Sequence, residues 1–320
     1  MPEPTIRSFL TETWLPATRT TVRATTFSSY CDTAKVYLVP AFGHLALSEL
    51  TPPAINAFYG ECLTGWSGRA PISPSSVRRL HNVLRRALRD AVRWGLLERN
   101  PAAAADPPQS RRTEMRAWTP AEGRRFLDAV VDDRRYPLWL FYLSTGARRG
   151  EALALRWGDV DLERGFVRIH RAWVPAGHVP ILTEPKTSRG RRTVAIDRRM
   201  VEVLDAHRGA ATPDPDALVF CRADGRPLHP EAVTRWFAEA VRAAGVPRIR
   251  LHDTRHTHAS WALASGVDTR IVSARLGHAT AAFTADVYQH LLPGMDGEAA
   301  QRIADLLYGR DPDGSACRTV

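Results

Sequence analysis

The stretch that decides the reading is LHDTRHTHAS, Leu251–Ser260, where three histidines and an arginine crowd ten residues. On a helix, His252 and His256 stand one turn apart, the spacing of a metal-binding pair. His252 and Arg255, at i and i+3, share a face that suits an anion. A metal centre needs a third ligand, commonly with a carboxylate close by. The segment has no HExxH pattern, and Asp253 falls off the His252–His256 face. The residues therefore favour a phosphate over a metal, and no metal ligand is assigned.

Composition points the same way. The chain of 320 residues carries a formal net charge of +10 and a pI near 10.1, a balance that suits a polyanionic partner, nucleic acid first. The competing explanation is an arginine-rich coding bias, and that bias is real: of 44 basic residues only Lys35 and Lys186 are lysines. A lysine that survives such replacement points to a task guanidinium cannot perform, such as giving up a proton. Cys31, Cys62, Cys221 and Cys317 are widely spaced and form no CxxC pair, so they read as reduced thiols. The densest apolar run, from Tyr136 to Ala147, is too short to span a bilayer and reads as a buried helix. A cytoplasmic, nucleoid-associated protein with no membrane contact is expected.

The length favours two domains. Residues 1–105 read as helical. Thr51 and Pro52 open one helix, and Val77, Leu80, Leu84, Leu88, Ala91 and Val92 form the apolar stripe of a longer one. Its other face carries Arg78, Arg79, Arg85, Arg86 and Arg89, a pattern that suits a DNA backbone or a solvated surface equally. A helical pattern from Thr26 is expected to stop at Pro40 and Gly43. Residues 106–117 read as a linker rich in Ala and Pro. Residues 118–310 form the second domain, with 311–320 a tail. It opens at Thr119-Pro-Ala-Glu122, a capping box with proline at the first helical position. Three β-type runs, GFVRIHRAWV, HVPILTEPKT and RRTVAI, lie between helical segments. The fold class is mainly α with a small antiparallel sheet.

Four segments hold residues suited to one chemistry. In STGARRGEALALRW a Thr-Gly turn delivers Arg148 to a helix start, where free N–H groups already favour an anion. Glu151, three residues on, can fix its guanidinium, and Gly150 allows close packing. Lys186 sits at a turn in EPKTSRGRRTV. The histidine segment is the third, and the fourth, RLGHATAAFTADVYQHLLPG, supplies His278 and Tyr288. Taken singly, each has an ordinary structural explanation: a surface ion pair, a solvated lysine, a turn histidine, a core tyrosine.

Together they resemble the tyrosine recombinase (phage integrase) family. The matching motifs are T-G-x-R-x-G-E at Thr145–Glu151, P-K-T at Pro185–Thr187, H-D-x-R-H at His252–His256, L-G-H at Leu276–His278, and Tyr288. The resemblance implies a helical, SAM-like core-binding domain followed by an α+β catalytic domain. It implies Arg148 and Arg255 as phosphate-gripping arginines, with His252, His278 and Lys186 beside them, and leaves His256 and His258 as structural residues. Glu151 would be the supporting acid and Tyr288 the nucleophile that forms a 3′-phosphotyrosine. No cofactor is implied. The implied partner is double-stranded DNA, bound as a homotetramer on synapsed sites and as a monomer or weak oligomer without DNA, with a DNA-bending accessory protein. A C-terminal stripe of Ile303, Leu306 and Leu307 would dock on a neighbouring protomer or on its own domain. The alternatives are a type IB topoisomerase-like relaxing enzyme and a non-catalytic DNA-binding regulator. About twenty residues precede the core-binding pattern, so an additional N-terminal arm-site domain is not expected.

Overall fold

The computed structural model describes residues 3–109, 115–176, 179–183, 190–209, 214–277 and Asp305. Lys186, His278, Tyr288 and the stripe Ile303, Leu306 and Leu307 lie outside the described residues, as does Cys317. The chain divides into two compact units, the first built on its opening 114 residues and the second on most of the remainder.

The first unit is helical. It contains α1 (Ile6–Ser8), α2 (Leu15–Thr18), α3 (Ala24–Thr33), α4 (Val39–Phe42), α5 (Pro52–Thr64) and α6 (Pro74–Arg93). Thr51 and Ser73 cap α5 and α6 by accepting from the N–H groups of Ala54 and Ser76, each with proline just inside. This is the arrangement that leaves fewest N–H groups orphaned. The expected stripe of α6 is buried from Val77 to Ala91, against Phe9, Trp14, Leu38, Ile55 and Phe58, while its last member, Val92, is half-buried. Inside that core Asp90 accepts from the Trp14 indole at 3.0 Å and from Arg86 at 3.0 Å.

One boundary differs from expectation. Pro40 does not end the helix that begins at Ala24: the run continues through a wider, π-type turn at Ala34–Leu38 into α4. Pro40 sits in the first turn of α4, where a missing N–H matters least. The turn closes at Gly43, whose N–H bonds Val39 O at 2.9 Å.

The second unit is mixed. α7 (Pro120–Ala129) starts with the reciprocal box between Thr119 and Glu122. α8 (Tyr136–Thr145) is the buried apolar helix, with Leu138 to Leu143 all in the core. α9 (Arg149–Leu153) leads to β1 (Val160–Asp161), β2 (Phe166–Ile169), β3 (Ala172–Ala176), β4 (Val179–Thr183) and β5 (Arg192–Ala195). Then come α10 (Arg198–Arg208), α11 (Pro230–Ala243), α12 (Asp253–Ala264) and α13 (Thr269–Leu276).

The run GFVRIHRAWV is two strands, broken at His170–Arg171. β2 pairs antiparallel with both β1 and β5, setting Ile169 opposite Arg192, while β3 and β4 pair separately. Val167, Ile169 and Val194 point into the core, which the period of two assigns to one face. Trp118, Phe126, Trp139 and Phe237 form its aromatic centre. Trp118 also ties the start of this unit to α12. Its N–H donates to Thr257 Oγ1 at 3.1 Å, and its carbonyl accepts from the Trp261 indole at 2.7 Å.

Candidate active site

The turn after α8 is built for close approach. Gly146 has φ +63°, a left-handed conformation, and a Cβ there would stand 2.6 Å from Leu276 and 2.9 Å from the His258 ring. Only glycine meets both demands. The turn delivers Arg148 as the cap of α9 in extended backbone geometry. Glu151, one turn on and buried, accepts from the Arg148 backbone N–H at 2.8 Å and from its guanidinium at 2.7 Å.

Glu151 has a second cation. Arg192, at the start of β5, donates to both carboxylate oxygens at 3.1 and 2.8 Å, and its side chain is only 6% exposed. Burial alone would raise the Glu151 carboxyl. The hydrogen bonds and charge of Arg192, then Arg148, outweigh it and hold the pKa at about 2. The acid is ionised at every working pH.

The end of α13 organises the rest. A helix leaves its last carbonyls unpaired and carries partial negative charge there. Here three successive carbonyls each receive an arginine: Arg275 O from Arg192 Nε at 2.7 Å, Leu276 O from Arg255 Nη2, and Gly277 O from Arg148 Nη2 at 3.3 Å. Gly277, at φ +68°, ends the helix in the left-handed conformation, and His278 follows it in the chain. Arg255 is 2% exposed and also donates to Gly146 O at 2.9 Å. Guanidiniums from α9's cap, β5 and α12 thus meet at one helix end, and two of them, Arg148 and Arg192, share the Glu151 carboxylate.

The histidines divide by environment. His252 occupies the N-cap position of α12 without a side-chain capping bond, and its ring meets that of His256 edge-on at 5.3 Å. Partial burial, then the charge of Arg255, lowers its pKa, so the ring is a neutral proton acceptor near pH 7. His258 is buried. Its Nε2 accepts from Arg275 Nε at 3.1 Å, which requires Nδ1 to carry the proton shared with Leu143 O at 2.9 Å. Burial and Arg275 push its pKa down to about 4. Asp253 is occupied by Arg250, and no group of three or more His, Cys, Asp or Glu side chains that could hold a metal occurs among the described residues.

Sequence reasoning passed over Arg192, Arg275 and the paired role of His258. The signal for Arg192 was available: it is two residues from buried Val194 on a strand, so it shares the inward face.

On α6 of the first unit, Arg78, Arg79, Arg85 and Arg89 are exposed. Arg86 differs, since its guanidinium is bound to Asp90. Among the described residues no helix is long and apolar enough to cross a membrane, and Cys31, Cys62 and Cys221 are free thiols.

The sequence matches the phage integrase family over residues 119–294 and the phage integrase N-terminal SAM-like domain over residues 7–63. The chain belongs to the phage integrase family. Among its relatives, a XerC-like tyrosine recombinase of Caldanaerobacter subterraneus subsp. tengcongensis is 27% identical over 73% of this chain and 67% of that protein. The ICEBs1 integrase of Bacillus subtilis is 28% identical over 74% and 67%, and an integrase of Mycobacterium phage FRAT1 is 28% identical over 87% and 82%. The fold matches that of the Tn1549 transposon integrase in complex with a circular intermediate DNA, with TM-score 0.78 and 17% identity over 94% of this chain and 99% of that one. A lambda integrase tetramer bound to a Holliday junction gives TM-score 0.68 and 18% identity over 89% and 78%. This phage integrase family member is therefore a tyrosine recombinase in class, and neither the topoisomerase-like nor the regulatory alternative is favoured.

Proposed function

We propose that the protein exchanges DNA strands by a phosphotyrosine route, using Arg148, Arg255, His252, Lys186, His278 and Tyr288, with Glu151 in support. The Tyr288 phenol attacks the scissile phosphorus, forming the Tyr–O–P bond and breaking the P–O5′ bond. Its proton passes to His252, whose lowered pKa leaves it ready to accept. Lys186 protonates the departing 5′ oxygen, a donation guanidinium cannot make. Arg148 and Arg255 neutralise charge on the non-bridging oxygens, and His278 hydrogen-bonds the phosphate. The covalent link conserves the energy of the cut bond, so rejoining is the same step reversed and no cofactor enters.

The supporting observation is the convergence of arginines on the last turn of α13, one residue before His278. Residues 1–105 act as the core-binding domain and 118–310 as the catalytic one, with Arg78, Arg79, Arg85 and Arg89 on the DNA backbone. Strand exchange takes place in a homotetramer on two synapsed sites, the assembly named for lambda integrase, with a DNA-bending protein as an accessory. Off DNA the protein is a monomer or weak oligomer.

The test is a nicked duplex whose cleaved strand loses a short 5′-hydroxyl fragment. Wild type traps a covalent adduct, and Tyr288→Phe binds with unchanged affinity and traps none. An adduct that persists in Tyr288→Phe removes the nucleophile assignment. Supercoil relaxation without exchange between two sites would favour the topoisomerase reading.

A further inference from the structure

Arg192 belongs to none of the motifs that carry the family resemblance, yet each of its guanidinium nitrogens is committed to the site. Its two terminal nitrogens take both oxygens of Glu151, Nη1 also reaches Gly190 O at 3.4 Å, and Nε caps the Arg275 carbonyl. Its side chain is 6% exposed, and that of Glu151 4%. Arg148, by contrast, keeps 41% of its side chain open while sharing the same carboxylate.

The charge balance gives this arrangement a purpose. Glu151 carries one negative charge between two guanidiniums. The forked, buried contact belongs to Arg192, and the single contact to the more open Arg148. A carboxylate held by Arg148 alone would form a neutral pair and cancel the cation a phosphate needs. With Arg192 present, the three side chains keep one net positive charge, and the exposed member is the one able to offer it.

We propose that Arg192 is a positioning residue that absorbs the charge of Glu151, so that Arg148 is fixed in place by the carboxylate without being neutralised by it. The inference rests on the strand-exchange reading above. It assigns Arg192 no contact with DNA. Its effect passes through Glu151 and Arg148, and through the α13 carbonyl just ahead of those capped by Arg255 and Arg148.

The experiment compares wild type, Arg192→Met, Glu151→Gln and the double variant for single-turnover adduct formation on the nicked duplex, with DNA affinity and Tm measured alongside. Arg192→Met should cleave about 10²-fold slower, the scale of one lost preorganised donor, because Glu151 now cancels Arg148. Adding Glu151→Gln restores the net positive charge and should recover at least about tenfold of that loss, although further hydrogen bonds have been removed. A purely structural buttress gives the opposite order, with the double variant the slowest. A double variant no faster than Arg192→Met, or an Arg192→Met variant that cleaves like wild type, overturns the proposal. Should Arg192→Met fail to fold, Arg192→Lys decides: it keeps the charge without the fork and should stay within about tenfold of wild type, and a larger loss overturns the charge argument. Absence of any adduct from wild type would instead sink the strand-exchange reading.

Discussion

Gly150 lies against the main chain of Trp173: a Cβ on Gly150 would stand 2.1 Å from the Trp173 carbonyl oxygen and 3.1 Å from its carbon. Both obstacles are backbone, so neither can rotate away. Gly150 lies between Arg148, which caps α9, and Glu151, which fixes it, so any shift there moves the pair. Gly150→Ala is expected to cost about 1–3 kcal/mol, the scale of overpacking, and to slow adduct formation. Gly60, inside α5 with open space around it, is the control. Gly60→Ala should stabilise by about 0.5–1 kcal/mol through helix propensity alone. Paired thermal melts check both, and a harmless Gly150→Ala would contradict the packing.

Lys186 lies outside the described residues, so its prediction rests on chemistry. Lys186→Arg keeps the charge and removes an accessible proton. Cleavage should slow on an ordinary phosphodiester and recover on a 5′-phosphorothiolate, whose leaving group needs no protonation. Equal slowing on both substrates would reassign the lysine to phosphate binding.

What the sequence discloses about this site follows from distance along the chain. Arg148 and Glu151 are three residues apart, so helical geometry alone predicts their contact, and the Thr119–Glu122 box is local in the same way. Arg192 meets Glu151 from 41 positions away. Nothing in either segment names the partner, although the strand phase shared with Val194 marked Arg192 as inward-facing. The α13 carbonyls are backbone groups, which no residue pattern advertises. Pro40 misled because an isolated proline reads as a stop, whereas the wider turn before it lets the helix restart.

Acid should weaken the second unit, and His258 sets the window. Its pKa in the fold is about 4 against an ordinary 6.5, so the unfolded chain binds the proton more tightly. Stability is therefore full above pH 6.5 and is lost as pH falls towards 4. At about 1.4 kcal/mol per tenfold in proton affinity, the loss from this ring is on the order of 3 kcal/mol. His256, also lowered to about 4 by burial and the neighbouring His252, adds in the same direction. Histidine ring NMR should find His258 neutral, with the proton on Nδ1, throughout that window. Titration near 6.5 would show that the ring is not buried beside Arg275 in solution.

Arg86 and its neighbours on α6 should separate cleanly in a salt titration. Arg78, Arg79, Arg85 and Arg89 are exposed, so replacing any one by alanine should leave the unfolding free energy within about 0.5 kcal/mol of wild type. If each meets a phosphate, the slope of log K against log salt should fall by about one for each replacement. Arg86 is committed to Asp90, which also accepts from the buried Trp14 indole and pairs with Arg93. Arg86→Ala strips a charge partner from a carboxylate that is 3% exposed, so its cost should appear as lost stability of about 1–3 kcal/mol with the salt slope unchanged. Asp90→Ala should be worse, because it leaves the Trp14 N–H without its acceptor in the core. A salt slope that drops for Arg86→Ala as it does for Arg85→Ala would mean that Arg86 releases Asp90 when DNA binds.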